Sequence, residues 1–141
     1  MEHVIWIVAL VTVGPLVGIE LGVAAVVNPL AARLPDSGFR VVRSGGSRWL
    51  GALMPFWYLG ALILLVGVVV TSGGGAALAA TAVMVVAVVL TVTVLVPINT
   101  RVGRWASDAD VDRALTRRWD TVHWVRVGLL GAVLVLVAAA A

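Results

Sequence analysis

The sequence predicts an all-α fold, an integral membrane bundle of four helices forming one domain over residues 1–141. Three observations predict it. Hydrophobic residues make up 62% of the chain and charged residues only 12%, against roughly 25% charged in an ordinary soluble domain. Four apolar runs are each long enough to cross roughly 30 Å of hydrocarbon at 1.5 Å per helical residue. The ten cationic residues are all arginine, and nearly all fall between those runs, where they mark topology and form no separate nucleic-acid-binding face. The lipid bilayer is therefore an expected partner and nucleic acid is not.

The first helix is expected over residues 4–28, with Glu20 as its one charged interruption and Pro15 as a local kink. Asn28-Pro29 should loosen or end it, because a residue before proline is pushed out of the α region. The start Met1-Glu2-His3 has no basic stretch and the apolar run is long for a signal peptide, so this segment is expected to remain as a helix. The second and third helices are expected over 49–70 and 76–98, joined by the uncharged turn Thr71-Ser72-Gly73-Gly74-Gly75 as an antiparallel hairpin. The fourth is expected over 109–140, entering the membrane near residue 120.

Cytoplasmic loops carry the excess of arginine and lysine. Arg33, Arg40, Arg43 and Arg48 precede the second helix, and Arg101, Arg104, Arg113, Arg117 and Arg118 lie between the third and fourth. Neither terminus nor the glycine turn has any, which places both termini outside the cytoplasm, both arginine-rich loops inside it, and the chain in the cell membrane as a multi-pass protein. The acidic stretch from Ser107 to Asp112 superficially resembles a calcium loop, but Arg113 and Trp119 stand where that loop needs glycine and glutamate. Its expected role is to cap a helix through Ser107 or Asp108.

Chain chemistry narrows further. Cysteine is absent, which excludes disulfides, thiolate metal sites and a cysteine nucleophile. Ser44-Gly45-Gly46-Ser47 has neither the spacing nor the strand-helix context of a nucleotide fingerprint, so no flavin or nicotinamide cofactor is expected. Gly14, Gly18 and Gly22 share a helix face that lets another backbone approach closely in lipid, either within the chain or as a homo-oligomer contact.

Polar groups inside hydrocarbon cost free energy and usually face the bundle interior. Glu20 and Asn28 share one helical stripe, Thr91 and Asn99 another, and Trp119, His123 and Arg126 a third. With the cytoplasmic surface near Asn28, Asn99 and Trp119, these stripes meet at one depth with Met54, Trp57 and Tyr58. Two readings follow. In the structural one, Glu20 pairs with Arg126, while Asn28, Asn99 and His123 bond backbone groups freed by Pro29 and Pro97. In the functional one, Glu20 and His123 are acid–base partners or metal ligands and Arg126 and Asn99 hold an anionic substrate oxygen. Trp57 and Trp119 would then wall an aromatic ligand, with Asn28 and Tyr58 beside it; Trp6, Trp49, Trp105 and Trp124 read as interface anchors or packing residues.

The segments Val96-Pro97-Ile98-Asn99-Thr100-Arg101 and Arg117-Arg118-Trp119-Asp120-Thr121-Val122-His123-Trp124-Val125-Arg126 resemble those of the anthrone-oxygenase-like small membrane proteins. That family has four predicted helices, a Pro-x-Asn element closing the third, and an Arg-Trp…His…Arg element opening the fourth. The resemblance covers the whole chain in hydropathy and about thirty residues in motif. It implies an oxidoreductase of secondary (polyketide) metabolism that oxidises an anthrone to an anthraquinone with molecular oxygen. It also points to Asn99, Trp119, His123 and Arg126 as site residues, with Glu20 added by the cost of its burial. His123 or Glu20 would remove an acidic proton from a hydrophobic aromatic substrate, and Arg126 and Asn99 would stabilise the oxyanion.

Copper and iron stay open as cofactors, with His123, Glu20, Asp120 and Met54 as the available donors. The competing class is a non-enzymatic small membrane protein, a transporter subunit or an interaction partner. The nearly uniform Val, Ala and Leu of the outer halves of the third and fourth helices argues against a polar route across the membrane.

Overall fold

A computed structural model describes residues 2–140, with Met1 and Ala141 outside the described residues. It is all-helical, without strands among those residues. Four helices are long and apolar enough to cross a membrane: α1 (His3–Ala32), α2 (Asp36–Ser72), α3 (Gly75–Val102) and α4 (Arg113–Ala140). Each packs on its neighbours in the cyclic order α1, α2, α3, α4. The turn between α2 and α3 closes on Gly73, which caps α2 with φ of 62°, a left-handed conformation that glycine adopts without a Cβ penalty.

The buried stripes follow helical spacing. In α1 they run Ala9, Val13, Leu16 and Glu20; in α3, Ala77, Ala80, Met84 and Ala87; in α4, His123, Leu130, Val133 and Val137. At the glycine-turn end the interior is apolar and rich in alanine, so helices approach closely and gain dispersion contacts where lipid offers no hydrophobic drive. Toward the arginine-rich end the same stripes carry Glu20, Asn28, Arg43, Thr116, His123 and Arg126, all buried. The half that holds the polar residues is thus set by position along unbroken stripes.

Three boundaries differ from expectation. Asn28-Pro29 does not end α1, which continues to Ala32; the disturbance appears instead as a π-helical turn at Val23–Val27, where the Asn28 amide bonds to the Val23 carbonyl. A second π turn at Thr91–Leu95 stands in the same relation to Pro97. Proline supplies no N–H and crowds the preceding turn, and widening that turn absorbs the misfit without breaking the rod.

The second difference is larger. α2 begins at Asp36, so most of the expected first cytoplasmic loop is helix and only Arg33, Leu34 and Pro35 connect it to α1. Its 37 residues span about 55 Å, well beyond the hydrocarbon thickness. Tertiary contacts hold the extra turns. Phe39 is buried under the Arg113 guanidinium, 4.3 Å from its ring centroid, and Arg113 also bonds Asp36 at 2.8 Å and the carbonyls of Ala32 and Leu34.

The third lies at α4, which starts at Arg113 and not at 109. Ser107 and Asp110 close a capping box on a single 3-10 turn, Asp108–Asp110. Asp112 caps α4 itself by accepting from the Leu115 amide at 2.9 Å, and Asp108 pairs with Arg40. The acidic carboxylates are therefore spent on caps and on fastening this segment to α2. No atom of a neighbouring helix comes within 4 Å of where a Cβ would stand on Gly14, Gly18 or Gly22, so the expected close packing at this face does not occur within the chain.

Candidate functional site

Glu20, placed by α1, is the centre of the polar cluster. Its Oε1 accepts the Tyr58 hydroxyl from α2 at 2.9 Å, and its Oε2 accepts Nη2 of Arg126 from α4 at 2.6 Å. Arg126 Nη1 donates to the Thr91 hydroxyl at 3.2 Å, which in turn donates to the Ala87 carbonyl. All four helices thus meet in one hydrogen-bonded chain. Charge-assisted bonds of this kind are the strong ones in a medium of low dielectric.

His123 is fully buried. Its Nε2 lies 3.0 Å from the Glu20 carbonyl oxygen, which can only accept, so Nε2 carries the hydrogen. Nδ1 is left to accept from Arg126 Nη2 at 2.9 Å and stands 3.3 Å from Glu20 Oε2. Trp119 covers the imidazole in a stacked arrangement, centroids 4.5 Å apart. The histidine touches Glu20 and Arg126 from behind and is no part of the cavity wall.

One turn toward the arginine-rich end is a second cluster. Asp120 accepts from Arg43 Nη1 at 2.9 Å and from Asn28 Nδ2 at 3.0 Å. The buried Arg43 guanidinium also lies 5.2 Å from the Trp119 ring centroid, a cation–π distance. Local composition makes Arg43 a loop residue, whereas it lies within α2. Its burial was legible in the helical spacing Phe39, Arg43, Ser47, Leu50, Met54 and Tyr58, which continues the α2 stripe beyond the membrane segment.

The cluster forms one wall of a cavity of about 180 Å³. Glu20, Tyr58, Thr91, Asn99, Trp119 and Arg126 are its polar or aromatic lining, and Met54, Leu62, Val88 and other apolar side chains complete it. Gly51, Pro55, Leu59, Val92 and Val96 also border it and are exposed. The cavity therefore opens sideways between α2 and α3, among exposed apolar side chains of two helices long enough to cross a membrane.

The expected residues divide accordingly. Asn99 lines the cavity, but its Oδ1 accepts from the Ser47 hydroxyl at 3.4 Å and does not approach Arg126 in any hydrogen bond. Asn28 lies behind Trp119 on a smaller cavity of about 60 Å³. Trp57 is turned away: its Nε1–H donates to the Thr12 carbonyl at 3.0 Å, because one residue's rotation from Tyr58 carries it off the buried stripe. In the structural reading, the Glu20–Arg126 pair is present, whereas Asn28, Asn99 and His123 find partners other than carbonyls freed by proline.

A metal does not fit these donors. Among the described residues no three His, Asp or Glu side chains converge as ligands. The space between Glu20 Oε2 and His123 Nδ1 is taken by Arg126 Nη2, a permanent cation, and Asp120 is committed to Arg43 and Asn28.

The arrangement can hold a flat apolar molecule against Trp119 and Tyr58 while presenting a carboxylate, a phenol and a guanidinium to one edge of it. No family model matches the chain, and no curated protein and no solved structure matches it.

Proposed function

We propose that this protein is a cofactor-independent oxygenase of the cell membrane, both termini extracytoplasmic, acting on a small hydrophobic aromatic substrate of the anthrone type. One observation carries the reading. A buried Glu–Arg–Tyr cluster sits on the wall of an otherwise apolar cavity that opens sideways between α2 and α3. A substrate dissolved in the bilayer reaches such a site without crossing water, and a dry cavity strengthens the donors aimed at developing charge. The excess of arginine at the cluster's end of the bundle supports a site in the cytoplasmic half.

The chemistry balances as follows. Tyr58 hands its hydroxyl proton to Glu20 as its oxygen takes a proton from the substrate methylene, leaving a carbanion whose charge is delocalised onto the ring carbonyl. Arg126 stabilises that oxyanion. Molecular oxygen adds at the carbanion carbon, and the peroxide recovers the proton from Glu20 through Tyr58. Loss of water converts the carbon to a second carbonyl, so one oxygen atom enters the quinone and the other leaves as water. His123 acts through Glu20 and Arg126 and is a positioning residue.

The test is oxygen uptake and quinone formation on adding anthrone to purified protein in nanodiscs. Uptake of one oxygen per quinone, above the spontaneous rate and lost in Glu20→Gln, is expected. A rate equal to that of empty nanodiscs overturns the proposal. A second reading is favoured by the saturation of Glu20: every oxygen has a partner, as in a structural clasp joining four helices. It predicts the same stability effects with no turnover.

A further inference from the structure

The cavity beside Glu20 adjoins a second one. Gly51, Val96 and Asn99 border both, and the second, about 300 Å³, lies nearer the arginine-rich end between α2 and the end of α3. Its remaining walls include Ser47, Arg48, Thr100 and Arg104. The chemistry changes sharply along this line, from a nearly apolar chamber to one bordered by two guanidinium groups and no carboxylate.

Those two arginines are set apart by their place on the chamber that adjoins the Glu20 cavity; lack of an ion pair is a property they share with Arg33, Arg101, Arg117 and Arg118 among the described residues. Arg40, Arg43, Arg113 and Arg126 are each matched to a carboxylate, Asp108, Asp120, Asp36 and Glu20 respectively. Arg48 and Arg104 enter none of the ion pairs or side-chain hydrogen bonds formed there. The Arg48 stem crosses to the end of α3, its Cγ 3.4 Å from where a Cβ would stand on Gly103. Between the chambers, Asn99 uses its carbonyl oxygen for Ser47, while its amide N–H groups have no partner among the described residues.

We propose that these two adjoining chambers together bind a hydrophobic molecule bearing an anionic group, its apolar body beside Tyr58 and Trp119 and its oxyanion between Arg48 and Arg104. The proposal rests on the oxygenase reading only for the aromatic nature of the body. Guanidinium donors take carboxylate or phosphate oxygens through charge-assisted bonds, and apolar burial supplies the rest. The polarity also sets direction. An anion would meet the Glu20 carboxylate at the deep end and two unmatched cations at the shallow end, so the charged group stays outermost and the uncharged end is the one that reaches Tyr58. A free anionic substrate and an anionic lipid headgroup share this chemistry.

Binding of anthracene-9-carboxylate and of uncharged 9-anthracenemethanol to the protein in phosphatidylcholine nanodiscs, read by energy transfer from tryptophan and corrected with empty discs, tests it. Wild type is expected to hold the carboxylate about tenfold more tightly than the alcohol. Arg48→Gln/Arg104→Gln should lose that preference and keep the alcohol, while Arg33→Gln/Arg117→Gln, with the same charge removed from the same end, should keep both. All four arginines are exposed, so the fold is spared. No preference in wild type, or equal loss in the two double variants, overturns the proposal.

Phosphatidylglycerol in the discs separates the sources. Competitive release of the carboxylate identifies a lipid headgroup as occupant, and retention identifies a free anion; either supports the proposal. Because the readout is binding, absent charge preference beside intact anthrone-dependent oxygen uptake removes this inference alone. Retained preference without oxygen uptake removes only the oxygenase reading.

Discussion

Replacing Glu20 by Gln leaves shape and volume nearly unchanged and removes one charge. Arg126 then keeps a guanidinium that is 5% exposed and that cannot release its proton. The pair is joined at 2.6 Å, which puts the charge centres about 4 Å apart, and at an effective dielectric of 20 that attraction is about 4 kcal/mol. Breaking a buried pair from one side typically costs about 3–5 kcal/mol, while removing both partners together is often nearly neutral. Glu20→Gln should therefore destabilise the bundle by about 3 kcal/mol or more. Arg126→Met should cost less, because a carboxylate left alone can neutralise itself by binding a proton.

The double variant should be more stable than the sum of the singles by about 3 kcal/mol. The assay is reversible unfolding of all four proteins from mixed micelles by titration with sodium dodecyl sulfate, followed by circular dichroism. A single-variant cost under about 1 kcal/mol, the range of exposed pairs, would refute the reasoning. Additive singles would do so as well, since they would show that the two groups do not depend on each other.

Tyr58→Phe should lower anthrone-dependent oxygen uptake by about a hundredfold, the usual contribution of a positioned proton donor, with a stability loss of only about 1–2 kcal/mol from the orphaned Glu20 oxygen; unchanged uptake removes Tyr58 from the proton path. Trp119 buries an Nε1–H with no partner among the described residues, so Trp119→Phe, which keeps a ring over His123, should cost about 1 kcal/mol or less, against about 3–5 kcal/mol for Trp119→Ala. Elemental analysis of purified protein should find copper and iron well below one per chain and unchanged by His123→Ala; one equivalent that disappears in the variant would reverse the metal assignment.

The pH dependence falls at the loop before α4. Hydrogen bonds from the Ser107 and Ala106 amides and the Ser107 hydroxyl hold the Asp110 carboxyl below its usual pKa of 3.8. A carboxyl depressed on folding stabilises the cap above the unfolded value and loses that contribution as pH falls through the folded one. Amide exchange at Ala106 and Ser107 should accordingly accelerate as the solution is acidified below the ordinary carboxylate range. In Asp110→Asn it should be insensitive to pH there, beyond the intrinsic chemical dependence; wild type behaving like the variant would show that the cap is not formed in solution.

Hydropathy and spacing alone determined that four apolar helices would form and that Glu20, His123 and Arg126 would lie on faces turned inward. The reason is physical: apolar length against hydrocarbon thickness and a period of 3.6 residues are properties of a single helix. The sideways opening between α2 and α3, the placement of Arg43 and the rotation of Trp57 away from the cavity needed a neighbouring helix to decide them. Asp36 to Arg48 contains Gly38, Gly45 and Gly46 and four of the chain's charged residues, which read as loop locally; the Arg113 and Asp120 contacts contributed by α4 make it helix. Likewise Asn28-Pro29 and Val96-Pro97 signalled a disturbance, but whether a helix breaks or widens into a π turn depends on what packs against both sides of the misfit. The sequence determined which polar groups must be buried, and the tertiary structure alone decided which of them would satisfy one another.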